Sequence, residues 1–127
     1  MANFLYRTKG GSPAEGKPRV YFTCHPEDFD SSFDRICEDI FRSHDCVVYY
    51  AEDMIHSIPK EDRETDLGRM NLFVIPVTLK LLLSPNRAMD EDLAFAKESH
   101  IPVLPILLEN GLGIIYGQCS MGIGLLW

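Results

Sequence analysis

An α/β fold, with a parallel sheet covered by helices on both faces, is predicted by three features of this 127-residue sequence. Short β-type runs alternate with helix-type runs along the chain, the pattern of a parallel sheet with crossover helices. The run Cys46-Val47-Val48-Tyr49-Tyr50 is apolar almost throughout, as a strand covered on both sides must be. The first helical run carries one apolar stripe and one charged face. Crossovers between the strands are expected to be right-handed.

Residues 1–18 contain Gly10, Gly11, Ser12, Pro13, Gly16 and Pro18 and read as a flexible lead-in, with order beginning at Arg19. Arg19-Val20-Tyr21-Phe22-Thr23 is the first predicted strand, ending in the polar loop Cys24-His25-Pro26-Glu27-Asp28. Pro26 disfavours a helical conformation at His25, so the helix starts after it. Phe29, Phe33, Ile36, Cys37, Ile40 and Phe41 fall at i, i+4, i+7, i+8, i+11 and i+12, which predicts an amphipathic helix over 28–44. Asp30, Asp34, Arg35, Glu38, Asp39 and Arg42 form its solvated face. The second strand, 46–50, leads into a polar segment, Ala51 to Pro59, and then a charged stretch expected to hold a short helix with Leu67 and Met70 turned inward. The third strand covers 71–78, with Pro76 suited to an end or a bulge. Residues 79–85 read as a loop or single turn. A helix over 90–100 has Met89, Leu93 and Ala96 at i, i+4 and i+7, and a fourth strand spans 101–108. Glu109 to Tyr116 could form a short helix, and the remainder to Trp127 is an atypical tail.

The composition narrows the function. The apolar fraction is 46%, the charged fraction 24% and the formal net charge −7. No basic cluster is present, so duplex nucleic acid and anionic membranes are poor partners. The four cysteines, Cys24, Cys37, Cys46 and Cys119, form no CxxC pair and read as reduced, mostly buried thiols. No metal site is predicted, because the cysteines and histidines lack ligand spacing. The most apolar run, Leu72 to Leu83, is broken by Pro76 and Lys80 and falls short of a membrane span. With no signal-peptide pattern at Met1 to Tyr6, a cytoplasmic location is expected. There is no GxGxxG, P-loop or GxSxG motif.

The order and spacing of these runs resemble the Toll/interleukin-1 receptor (TIR) domain, here of bacterial type. Residues 19–28 are similar to the first TIR box, although Thr23 and Cys24 stand where Ser and Tyr are common. Residues 71–78 resemble the third TIR strand, and residues 91–106 the stretch in which an acid opens a helix that ends at a proline-containing strand. The resemblance covers 17 to 108 and implies a flavodoxin-like sheet. Another flavodoxin-like domain, nucleotide-binding or receiver-like, is the alternative. A complete TIR domain adds a fifth strand and a final helix. Residues 109–127 hold no convincing version of either, so the domain is read as 19–108, open to being incomplete at its C-terminal end.

The resemblance implies chemistry. Many TIR domains cleave the nicotinamide–ribose bond of NAD+, using a glutamate in the first turn of the helix after the third strand. A carboxylate suits that role because the transition state resembles an oxocarbenium ion. Asp90, Glu91 and Asp92 compete for the position. Glu91 has the family's residue type, and Asp92 the better register, preceding inward-facing Leu93. The family's nearby aromatic residue is missing; Asn86, Arg87 and Ala88 occupy that region. The competing structural reading makes the three acids helix caps. Thr23, Cys24, His25 and Thr78 are the implied substrate-binding residues, against a bland reading as polar loop residues. Cys24 with His25 also invites a nucleophilic pair, although neighbours in sequence rarely point at each other.

Ala51 to Pro59 corresponds to the family's BB loop, which gates the pocket and contacts other TIR domains. Ile55, His56, Ser57 and Ile58 are the implied contact residues, with Ile55 and Ile58 alternatively packing on their own domain. His44, His56 and His100 read as surface or capping residues. Two functions follow. One is an NAD+ hydrolase acting in signalling or defence, with NAD+ as substrate, no bound cofactor and self-association to complete the pocket. The other is a non-catalytic module joining TIR domains. The acid cluster favours the first, and the missing aromatic the second.

Overall fold

The computed structural model describes residues 4–8 and 16–108. The expectations for residues 109–127 lie outside them.

Among the described residues, five strands form one sheet: β1 (Phe4–Thr8), β2 (Arg19–Phe22), β3 (Val47–Ala51), β4 (Leu72–Val77) and β5 (Val103–Leu107). Their spatial order is β1-β3-β2-β4-β5. β2 pairs in parallel with β3 and β4, and β4 in parallel with β5. The four parallel strands therefore match the four runs expected from the sequence. Their order, second-first-third-fourth, is compatible with a flavodoxin-like arrangement. Pro76 lies past the point where β2 stops pairing with β4, so its missing N–H interrupts no bond to β2.

The helices are α1 (Phe29–Ser43), α2 (Lys60–Thr65), α3 (Leu79–Leu83) and α4 (Leu93–Glu98). Strand side chains alternate between two cores, as the two-residue period requires. Val20, Phe22, Val48 and Val74 meet Phe33, Ile36, Cys37 and Phe41 of α1 on one face. Tyr21, Phe73, Ile75, Val77 and Val103 meet Leu67, Met70, Leu81, Leu93 and Ala96 on the other. Ile40, expected in the apolar stripe, is only half-buried. Leu67 and Met70 turn inward as expected, Leu67 from a single 3-10 turn.

The lead-in expectation fails at one place. Phe4–Thr8 is an edge strand, antiparallel to β3 over five residue pairs. Its run of aromatic, aliphatic and β-branched residues suits a strand, but the glycines and prolines that follow obscure it. The stabilising contacts come from far along the chain. Phe4 packs edge-on against Tyr21 at 6.0 Å between ring centroids, and Arg7 pairs with Asp34 of α1. Among the described residues no helix is long and apolar enough to cross a membrane.

Candidate functional site

The carboxyl ends of the parallel strands face the loop after β2, the Ala51–Pro59 loop after β3, and the turn that opens the helix after β4. In open α/β sheets this edge is where ligands bind. Four buried polar side chains converge there: Tyr21, Thr23, Arg87 and Asp92.

Asp92 reaches this position through a local irregularity. Residues Ala88–Asp92 form a π-helical turn, with the N–H of Leu93 donating to the carbonyl of Ala88. Such turns occur disproportionately at functional sites. The wider turn lets Asp92 and Leu93, adjacent in sequence, both be buried. The turn is capped by Asn86, whose Oδ1 accepts from the Met89 N–H at 2.8 Å. The Asn86 amide is in turn held by the Leu81 and Ser84 carbonyls at 2.9 and 2.8 Å. The capping role expected of the three acids thus falls to Asn86.

The Thr23 hydroxyl donates to Asp92 Oδ2 at 2.6 Å, and Arg87 Nε donates to the same oxygen at 3.4 Å. Arg87 Nη2 donates to the Tyr21 hydroxyl at 3.4 Å. Arg87 Nη1 donates to the carbonyl of His56 at 3.0 Å and to that of Asp53. Asp92 is fully buried, and its Oδ1 is buried with no hydrogen-bond partner. Burial raises its pKa, while the Arg87 charge and the bonds from Thr23 and Arg87 oppose the rise. Tyr21 is also raised well above the ordinary phenol value, chiefly by burial and then by the Asp92 charge.

Glu91 occupies a different environment. It is half-buried, accepts a bond from the Ser57 hydroxyl at 2.6 Å and lies 3.7 Å from Arg63. It lines a cleft with Lys60, Arg63 and Phe95 on the α2 side. Asp90 is exposed. Of the three acids, only Asp92 meets the first loop.

The remaining residues implied by the resemblance divide. Cys24 is buried, its Sγ 3.9 Å from Met54 Sδ. Burial, reinforced by the Asp28 charge, pushes its thiol up to about 12 despite Arg87, so it is no thiolate nucleophile at neutral pH. His25 turns away from it: Nδ1 accepts from the Glu27 N–H at 3.1 Å and caps the 3-10 turn Pro26–Asp28. The nucleophilic pair therefore does not form. Thr78 donates to Asp28 at 2.5 Å and accepts from the Leu81 N–H, capping α3. Cys37 and Cys46 are buried and free, as is Cys24, and Cys119 lies outside the described residues.

In the Ala51–Pro59 loop, Asp53 Oδ1 accepts from the N–H groups of Ile55 and His56 at 2.8 and 3.2 Å. Its Oδ2 lies 2.6 Å from His56 Nδ1. The His56 contact and these N–H bonds hold the Asp53 carboxyl at about 2. Ile58 packs into the core, whereas Ile55 is 71% exposed. A cavity of about 370 Å³ opens beside the loop, walled by Pro26, Phe29, Tyr50, Met54 and Ile55. Neither Glu91 nor Asp92 lines it. Among the described residues, no three His, Cys, Asp or Glu side chains are grouped so as to hold a metal ion.

Sequence reasoning missed Tyr21, Asp28, Asn86 and Arg87. Arg87 offered one signal, a cation where the family carries an aromatic residue nearby. The others read as ordinary strand or turn residues. No family model, curated protein or solved structure matches this chain.

Proposed function

We propose that this chain is a TIR-type domain that hydrolyses NAD+ at the nicotinamide–ribose bond, with Asp92 as the acting carboxylate. The observation that carries the reading is the Asp92 Oδ1 atom, buried without a partner at the carboxyl edge of a parallel sheet. An uncompensated buried polar atom costs stability, and a functional role is one reason for a fold to retain it. A desolvated carboxylate stabilises positive charge on a ribose ring more strongly than a hydrated one does. The bond from the ribose anomeric carbon to nicotinamide breaks, and the electron pair leaves with nicotinamide, which becomes neutral. Water then adds to the anomeric carbon and releases a proton, giving ADP-ribose, or an internal nucleophile closes a ring. Substrate reaches Asp92 only when the Ala51–Pro59 loop lifts, and self-association is expected to complete the pocket. The domain would act in cytoplasmic signalling or defence.

The test is nicotinamide release from concentrated protein incubated with NAD+, followed by chromatography. Asp92→Asn should lower the rate by about a hundredfold or more, the scale of losing a group that stabilises transition-state charge. Glu91→Gln should retain most activity. Wild-type rates in Asp92→Asn would reject the site.

Ile55 favours a second reading, a non-catalytic module. A large aliphatic side chain, 71% exposed at the tip of a pinned loop, suits contact with another TIR domain. Folded, concentrated protein that releases no nicotinamide, yet self-associates through Ile55, would establish it.

A further inference from the structure

One side chain joins the proposed site to the loop that covers it. Arg87 is 5% exposed, and its guanidinium contacts three separate parts of the chain. Nε meets Asp92, Nη2 meets Tyr21 of β2, and Nη1 meets the carbonyls of both Asp53 and His56. A planar fork can serve all three at once; a point charge cannot. The loop's other described polar tether to this helical turn is the exposed Ser57–Glu91 bond.

We infer that Arg87 is a positioning residue with two coupled duties: it orients Asp92 and it straps the Ala51–Pro59 loop over it. This rests on the NAD+ reading for the meaning of Asp92, while the strap stands on the contacts alone. The two duties share one guanidinium. When the loop lifts, Nη1 loses both carbonyl acceptors, and the guanidinium is left with Asp92 and Tyr21. Opening of the loop and the environment of the acting carboxylate therefore change together.

Arg87→Lys separates this from simple structural support. Lysine keeps a cation beside Asp92 but cannot hold the carboxylate and two carbonyls together. Amide hydrogen exchange at Met54 to Ser57 should speed up by about tenfold or more relative to wild type, with Val48 and Val74 unchanged. With NAD+, kcat should fall about tenfold or more while KM stays the same or drops, because the carboxylate is misaligned and entry is easier. Should Arg87→Lys not fold, Arg87→Gln combined with Asp92→Asn removes both buried charges and gives the same exchange readout. Unchanged loop exchange in the folded variant would overturn the strap, and an unchanged kcat would overturn the orienting role. If the wild type releases no nicotinamide, the NAD+ reading falls, and the exchange result alone decides the strap.

Discussion

Asp92 shows how much a single residue can be read in advance. Its position before Leu93 gives it the better register of the competing acids, with Glu91 left as the alternative, and the structure buries Asp92 completely. Its neighbour Thr23 was implied by the family resemblance and does bond to it, whereas Arg87 was marked only as filling an aromatic residue's region and Tyr21, which Arg87 also holds, read as an ordinary strand residue. Burial raises the folded pKa of Asp92 above its unfolded value of about 3.9. A group shifted this way contributes stability that is fully present below the unfolded value and lost as pH rises through the folded one. Asp92→Asn removes that loss and leaves Arg87 its two loop carbonyls. The variant should therefore unfold at higher urea concentration than wild type at pH 7, with the gain shrinking toward pH 4. Urea midpoints across that range check it, and a pH-independent difference would contradict the assigned cause. Greater stability together with lost nicotinamide release is the signature of an acting group kept in an unfavourable setting.

Among the elements, α1 was the most legible and the turn before α4 the least. Apolar residues at helical spacing predict α1, and the structure confirms the stripe except at Phe29 and Ile40, which are half-buried. Phe33 packs on Phe22, Phe29 and Tyr50 at ring-centroid distances of 5.1, 4.6 and 4.6 Å. Phe33→Ala should cost about 3–5 kcal/mol, the usual loss for emptying an aromatic site in a packed core. Chemical denaturation of both proteins measures it, and an unmoved midpoint would show that the site collapses without cost. The π turn at Ala88–Asp92 has no comparable signature. Its one extra residue is permitted by the Asn86 cap and by packing on the sheet, and no hydrophobic period encodes it.

The sheet as a whole carries one strand that the alternation of elements did not announce. β1 closes the free edge of β3, which would otherwise present unpaired backbone groups. Removing residues 1–8 should lower the unfolding midpoint and promote self-association through the exposed β3 edge. Thermal melts and light scattering test this. Unchanged stability in a monomeric truncated protein would mean that β1 is a minor ornament. The same edge protection bears on the loop site, since Phe4 lies against Tyr21, whose hydroxyl accepts from Arg87.

The sequence by itself determined the four parallel strands, the face that α1 buries and the three acids among which the inward one lies. These follow from side-chain periodicity and burial, which act over a few residues and leave a pattern in the chain. Only the tertiary structure decided the Phe4–Thr8 strand, the Asn86 cap with its π turn, and the Arg87 fork joining Asp92, Tyr21 and the Ala51–Pro59 loop. Each depends on hydrogen bonds or packing specified by three-dimensional placement. A donor fork reads the same in sequence whether it faces water or a buried carboxylate.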